Sequence, residues 1–275
     1  MRTKASGLAS VAAFATVAGV FGHAQGTPTS LPGGAGPRDL KTTLFDAANA
    51  LGMLRGLQQE DSVTTFEFWA TGTLTDGSQT INLTNYRASV RFRTVPGMRV
   101  DFTGAVSGQP PRRTIQVVAG NFAWNEVEPG RRATPTPEAV GERLLQLSAL
   151  PQGVIKGATA AGDKATLSVQ GGRTMLTFPV AGVNGATLTA TLDARNHIER
   201  VVTRVGEAVT ETTYADYGDW NEKGYKADIL FPRRLIQKRA GITLLDLTVT
   251  KTNTYNPYVI MPVPDNVQKS AGGSS

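Results

Sequence analysis

The spacing of apolar residues changes along the chain, first from a helical period to strict alternation. A first helix is predicted from apolar positions that share one helical face: Leu40, Leu44, Ala47, Ala48, Leu51, Leu54 and Leu57. Asp39 precedes them and is a suitable N-cap, whereas Gly52 and Gly56 weaken the second half of the segment. The pattern therefore predicts one helix from residue 39 with an end that the glycines leave open.

From residue 66 onwards the period is two, which is typical of strands with one buried face. Phe66, Phe68 and Ala70 alternate with polar neighbours, and the phase changes near Asn85, which indicates a bulge. Glycine and asparagine pairs such as Gly120-Asn121 separate adjacent runs and predict hairpins. We count about 11–12 strands, and their short connections require antiparallel pairing.

A helical insertion is predicted at about 137–161, between two groups of strands. Pro137 suits a helix start, and Pro151 ends one helix and begins the next. The order of elements predicts an α+β fold that is mostly β. In it, a large curved antiparallel sheet forms a half-open barrel, with helices packed on its concave face. We expect one such domain over 39–268, followed by a flexible tail over 269–275.

The acid-rich segment YADYGDWNEKGYKADILFPRRL, which starts at Tyr214, has two interpretations. It could hold a metal or catalytic site, or it could be a strand, a bend over 218–224 and a return strand. Alternation places Ala215 and Tyr217 on one strand face and Tyr214 on the other. Acids are common at turns, so we expect Asp216, Asp219 and Glu222 to be solvated.

The N-terminus has the pattern of a secretory signal peptide. Arg2 and Lys4 precede an uncharged run of small and apolar residues, and a small-x-small site predicts cleavage after Ala24. This predicts a signal peptide over 1–24 and a disordered Pro/Gly-rich leader over 25–38. We expect an exported protein, periplasmic or extracellular; the alternative is an uncleaved anchor, for which the run is short.

Composition excludes several kinds of chemistry. There is no cysteine, and a mature chain would keep a single histidine, His197, too few ligands for a zinc site. No P-loop, dinucleotide fingerprint, EF-hand or G-x-S-x-G elbow occurs. We therefore predict no cofactor, no metal and no catalytic residue, although a carboxylate pair that hydrolyses a glycoside stays open.

Basic residues give the chain a net charge of +6, of which Arg2 and Lys4 account for two. A mildly basic mature chain does not require nucleic acid, and we predict no nucleic-acid partner. Arg91 and Arg93 alternate with Val90 and Phe92 on a predicted strand. They form either a solvated outer face or a patch that contacts an anionic membrane surface.

The apolar strand faces are larger than short helices are expected to cover, which predicts a cavity for a hydrophobic small molecule or lipid. The expected lining from the sheet is Phe66, Phe68, Tyr86, Phe92, Phe102 and Trp124. The expected lining from the helices is Leu144, Leu147, Val154 and Ile155.

A signal, a first helix, a long meander, a helical interruption and a second meander together resemble the LolA-like periplasmic lipoprotein-carrier superfamily. The similarity is clearest in TYADYGDW and in GYKADILFPRRLIQKRAGITLLDLTVTKTNTYNP, which resemble the return strands and G-x-x-x-P bend of that superfamily. The resemblance implies a half-open sheet around a lipid-binding cavity that helices close.

A second resemblance involves VVAGNFAWNE, PTPEAVGERLLQLSALPQGVIKGATAA and FPRRLI. These segments are similar to the uncharacterised region before a metallo-beta-lactamase-like hydrolase domain in some exported bacterial proteins. The zinc-binding histidine cluster of such a hydrolase is missing from this chain, so the resemblance implies no hydrolase activity.

Three functions follow as hypotheses. The first is a monomeric exported protein that binds a lipid, a lipoprotein acyl chain or another hydrophobic ligand. The second is a periplasmic sensor or protein-interaction domain without cargo. The third is a carboxylate-based hydrolase.

Overall fold

The computed structural model describes residues 39–220, 229–254 and 256–272. Two short strands, β1 (Leu54–Arg55) and β2 (Glu60–Asp61), pair with each other outside the main sheet. The first meander of the main sheet consists of β3 Thr65–Asp76, β4 Gln79–Arg91, β5 Gly97–Val106, β6 Arg112–Ala119, β7 Phe122–Glu126 and β8 Thr134–Pro135. The second consists of β9 Thr166–Gln170, β10 Arg173–Pro179, β11 Ala186–Leu192, β12 Ile198–Val205, β13 Ala208–Asp219, β14 Leu230–Arg239 and β15 Ile242–Asn253.

One pairing joins the two meanders into a single 13-stranded antiparallel sheet. The last strand, β15, pairs with the first, β3, so that the strand order is β8-β7-β6-β5-β4-β3-β15-β14-β13-β12-β11-β10-β9. Strands β8 and β9 are the two edges, and the sheet is not closed into a barrel. The predicted mostly β, half-open antiparallel fold is confirmed, with slightly more strands than the sequence pattern indicates.

Within the described ranges, four α-helices accompany the sheet: α1 Leu40–Ala50, α2 Val140–Ala149, α3 Pro151–Ala161 and α4 Asp265–Gly272. Asp39 caps α1 as predicted, because its Oδ1 accepts a hydrogen bond of 2.8 Å from the Thr42 amide. The helix ends at Ala50, before Gly52, whose φ of 67° is left-handed. Leu54 therefore lies in β1 and Leu57 is fully exposed, contrary to their expected place on the helix.

The C-terminal segment over 269–275, predicted to be a flexible tail, also differs in the structure. Helix α4 begins at Asp265 and continues to Gly272, so four residues of the segment expected to be flexible are helical. Short 3-10 turns at Pro137–Ala139 and Gly162–Lys164 flank α2 and α3, where the helical insertion was expected.

The sheet curves around α2. This helix contacts both β6 and β12, which are seven positions apart in the strand order. In a flat sheet those strands would be roughly 34 Å apart, at about 4.8 Å per strand, whereas a helix is only about 10–12 Å wide. The two sides of the sheet must therefore bend towards each other. We call the side that faces α1, α2 and α3 the inner face, and the opposite side the outer face.

The inner face forms the main core with α1, α2 and α3. Glycine allows α3 to approach the sheet closely, since a Cβ at Gly157 would lie 2.7 Å from the Phe178 ring. Near the start of α2, the buried Arg143 donates hydrogen bonds to the carbonyls of Val117 (2.9 Å) and Trp124 (2.7 Å). Burial lowers the pKa of Arg143. These contacts fix α2 over the first meander.

Bulges adjust which side chains reach the inner face. The register of β4 shifts between Leu83 and Asn85, where the sequence predicts a bulge. A second irregularity lies at Asp216, whose φ is 57°. Because of it, Tyr217 packs against the same core as Tyr214, although simple alternation assigns the two tyrosines to opposite faces. Asp216 and Asp219 are exposed, as predicted, and Glu222 lies outside the described residues.

The outer face carries paired charges. Arg87 binds Glu67 at 2.7 Å, Arg113 binds Asp101 at 2.6 Å and Arg234 binds Asp246 at 2.6 Å. Most of these arginines are near two-fifths exposed, so the pairs suit a solvated sheet face. The predicted contact with an anionic membrane surface stays a prediction.

The predicted signal peptide (1–24) and leader (25–38) lie outside the described residues, as does most of the predicted bend at 218–224. Within 39–220, 229–254 and 256–272, no helix has the length and apolar character needed to cross a membrane.

Candidate functional site

A cavity of about 90 Å³ lies between α2 and the inner face. Its apolar walls come from both meanders and from the end of α2: Phe68, Leu74, Tyr86, Met98, Val100, Phe102, Ala149, Leu150, Leu235 and Leu245. Its polar lining consists of Gln116, Gln146, Thr212, Tyr214 and Gln237. Strands β5 and β6 thus face β13 and β14 across the cavity, which the curvature of the sheet makes possible.

Stacked aromatic rings form one wall of the cavity. Phe68 and Tyr86 are 5.8 Å apart between ring centroids, and Tyr86 and Phe102 are 6.5 Å apart. The three residues belong to β3, β4 and β5, and the strand register sets Tyr86 directly opposite Phe102. Burial raises the pKa of Tyr86, so its hydroxyl stays neutral over the physiological range.

The break between α2 and α3 forms the roof. Leu150 separates the helices with an extended conformation (ψ 145°), and Pro151 begins α3. The Tyr214 hydroxyl donates a hydrogen bond of 2.7 Å to the Ala149 carbonyl, which the helix end leaves free. Burial, and to a lesser extent Tyr86, raises the pKa of Tyr214, so this donor keeps its proton. This hydrogen bond from β13, together with one of 3.0 Å from the Gln152 side chain to the Leu230 carbonyl, ties the helix junction to the second meander.

An ion pair bridges α2 and β14 beside the cavity. Arg239 and Glu142 are 3.6 Å apart, and both side chains are about half exposed. Glu142 precedes the cavity-lining Gln146 by one helical turn, and Arg239 follows Gln237 by one strand repeat on the same face. The ion pair therefore joins α2 to β14 next to two of the lining glutamines.

Three of the predicted site residues, Phe68, Tyr86 and Phe102, line the cavity. Others lie in the same core without lining it: Phe66, Phe92, Leu144, Leu147, Val154 and Ile155. Phe66 packs 4.7 Å from the Phe231 ring, and Phe92 lies under the Lys156 ammonium at 5.2 Å. Much of the inner face is thus filled by the side chains of the protein itself, and the predicted uncovered apolar area is reduced to this cavity.

Trp124 lies on the outer face, apart from the other predicted site residues. The hairpin at Gly120-Asn121 pairs Ala119 with Phe122, which places Trp124 opposite Val117. It belongs to a separate group, the outer cluster: Ile115, Val117, Ala119, Trp124, Val259, Met261 and Val267. Its Nε1 donates a hydrogen bond of 2.8 Å to Glu126. We therefore leave Trp124 out of the candidate site.

Sequence reasoning missed the wall from the second meander, which includes Thr212, Tyr214, Leu235, Gln237 and Leu245. Four residues share one cross-strand row, because Thr212 pairs with Gln237, Gln237 with Leu245, and Leu245 with Leu74. Their alternation is visible in the sequence, but only the pairing of β15 with β3 places this row beside the first meander.

The described parts of the chain contain no group of three or more His, Cys, Asp or Glu that could hold a metal ion. His197 stacks on Tyr217, with ring centroids 4.6 Å apart, and its Nδ1 is 3.3 Å from Asp193. Among the described residues, the cavity lining contains no carboxylate. The predicted absence of catalysis stays a prediction.

Two comparisons with known proteins gave no relative. No family model matches the chain, and no curated protein matches it.

The solved structures include similar chains. One is a LolA superfamily protein, NE2245 from Nitrosomonas europaea, with 10% identity over 80% of this chain and 94% of that chain, and a TM-score of 0.43. Another is LprF from Mycobacterium bovis, with 10% identity over 79% of this chain and 96% of that chain, and a TM-score of 0.30. The LolA superfamily, which the sequence pattern resembles, is thus also represented among the similar solved structures.

Proposed function

We propose that this is an exported binding protein that holds a lipid, a lipoprotein acyl chain or another hydrophobic ligand against the inner face. The observation that carries the proposal is the cavity itself, which has aromatic and aliphatic walls and a few polar groups. This combination is typical of sites that bind small apolar molecules. The predicted signal peptide supports an exported location.

The size of the cavity limits what it can hold without movement. Sites for drug-sized ligands usually enclose roughly 300–1,000 Å³, whereas this cavity encloses about 90 Å³. It therefore accommodates one end of a chain, and a longer ligand requires α2 to move away from β13 and β14. The break at Leu150-Pro151, where the helical hydrogen bonding is interrupted, favours movement at this point.

A cavity-filling substitution tests the proposal. Ala149→Leu places a larger side chain at a lining position of α2, where leucine is also a good helix former. We expect the affinity for Nile red, a neutral apolar fluorophore, to fall about tenfold or more as the space is lost. Fluorescence titration of the purified protein measures this change.

Ala160→Leu is the matched control, because Ala160 is exposed on α3 and lies away from the cavity. It should bind the fluorophore like the unaltered protein. Equal affinity of both variants would exclude the cavity as the binding site. Mass spectrometry of lipids extracted from the protein, purified from its own host, should in addition identify a bound lipid.

A further inference from the structure

Four polar side chains of the cavity lack a hydrogen-bond partner among the described residues. Among the described residues, no hydrogen bond is formed by the amides of Gln116, Gln146 and Gln237 or by the hydroxyl of Tyr86. Each amide offers two donors and one carbonyl acceptor, and the hydroxyl can both donate and accept. All four residues are half-buried at the cavity, so these groups can bind either water or a ligand.

These groups surround the space from three directions. Gln116 on β6 lies opposite Val100, at the first-meander wall. Gln237 on β14 pairs with Thr212, at the second-meander wall. Gln146 comes from α2, which covers both. A hydrogen-bonding group in the middle of the cavity can therefore meet amides from two walls and from the roof.

All of the described lining groups are neutral: no Asp, Glu, Lys, Arg or His among them belongs to the cavity lining. The charged neighbours on α2 and β14 have contacts elsewhere or face solvent. Glu142 and Arg239 bind each other, Arg143 donates to backbone carbonyls, and Lys238 is exposed. A carboxylate or phosphate in the cavity would thus be a buried ion without a counter-ion, which is strongly unfavourable. An ester or amide carbonyl, or a hydroxyl, would find donors and acceptors at no such cost.

We propose that the cavity recognises an uncharged hydrogen-bonding group, such as an ester, an amide or a hydroxyl, on an apolar chain, and discriminates against a carboxylate. This inference rests on the proposed function, and names the ligand class of that site: neutral amphiphiles rather than free fatty acids. The three glutamines select the class, and the aromatic wall binds the chain.

Three ligands with the same chain length test the inference on the unaltered protein: monodecanoylglycerol, decanol and decanoate. Isothermal titration calorimetry at neutral pH should show that both neutral ligands bind at least about tenfold more tightly than decanoate. Equal binding, or tighter binding of decanoate, would overturn the inference and leave the proposed function in place. Absence of binding for all three, together with no lipid on the purified protein, would overturn both.

Two substitutions at Gln146 sharpen the test, because this residue is only half-buried on α2 and tolerates a change of side chain. Gln146→Met keeps the length and removes the hydrogen bonds, so the preference for neutral ligands should fall by about threefold to tenfold. Gln146→Arg supplies a cation, so decanoate should bind more tightly than decanol. Melting temperatures confirm that both variants are folded.

Gln170→Met is the control, since Gln170 is exposed on the edge strand β9 and away from the cavity. It should leave all three affinities unchanged. An unchanged ligand preference in both Gln146 variants would contradict the assigned role of the glutamines.

Discussion

The outer cluster around Trp124 and the cavity around Tyr86 lie on opposite faces of the same sheet, with β6 contributing to both, and they differ in what their polar groups contact. In the outer cluster, Trp124 is fully buried and its Nε1 donates to Glu126, which also binds Arg99. In the cavity, the Tyr86 hydroxyl and three glutamine amides have no partner among the described residues.

This difference separates stability from binding. Close packing and the hydrogen bond from Trp124 to Glu126 stabilise the folded state. The half-buried polar groups of the cavity, in contrast, can bind a ligand or water. We therefore expect substitutions on the outer face to change the free energy of unfolding, and substitutions at the cavity to change affinity.

The largest effect is expected for Trp124→Ala. Removing this buried ring should reduce the free energy of unfolding by about 3–5 kcal/mol, because the side chain is fully buried in the outer cluster. Urea denaturation measures the loss, and titration with Nile red below the transition should give the affinity of the unaltered protein. A large loss of affinity in the folded variant would contradict the separation of the two faces.

Glu67→Gln should have the next largest effect, with a pH dependence. The Glu67 carboxylate is buried, which disfavours its charge, but hydrogen bonds from Ser89, Asn256 and Arg87 hold its pKa below the ordinary value of 4.5. Its folded-state pKa is lower than its unfolded one, so its contribution is present above pH 4.5 and is lost as the pH falls through the folded pKa.

At neutral pH we expect Glu67→Gln to lose about 1.5–3 kcal/mol of stability, the value of hydrogen bonds to a charged group. The difference from the unaltered protein should shrink as the pH falls below 4.5. Urea denaturation across this pH range provides the measurement. A difference that is constant with pH would show that the charge of Glu67 is not responsible.

Tyr214→Phe should have a smaller effect on stability and a distinct effect on binding. It removes the 2.7 Å hydrogen bond to the Ala149 carbonyl, at a cost of about 0.5–1.5 kcal/mol. It also releases the roof at the break between α2 and α3, so Nile red should enter and leave faster in stopped-flow measurements. Tyr217→Phe, which removes the bond to the Ile198 carbonyl (2.7 Å), is the matched control. It should lose similar stability without faster exchange.

The smallest effect is expected for Arg239→Ala. The ion pair with Glu142 is about half exposed on both sides, and exposed pairs contribute about 0–1 kcal/mol. Thermal denaturation should therefore show little change at physiological salt. A loss well above this range would mean that the pair holds α2 over the cavity more firmly than its exposure indicates.

The predicted part of the candidate site depends on local pattern alone. Phe68, Tyr86 and Phe102 lie on consecutive strands with short connections, so alternation places them on one face. Trp124 shows the limit of this reasoning. The tight turn before it decides which face it occupies, and a shift of one residue in register moves a side chain to the other face.

The sequence by itself determined the class of fold, because strand alternation, short connections and two prolines at the helix boundaries are local signals. Only the tertiary structure decided where the cavity lies and how large it is. The pairing of β15 with β3 brings Leu245 beside Leu74 and joins two meanders that are far apart in the chain. Such non-local pairing, and the close packing of α2 and α3 against the curved sheet, depend on the whole chain at once. For this reason, reasoning from the sequence overestimated the free apolar surface and could not place the three glutamines around the cavity.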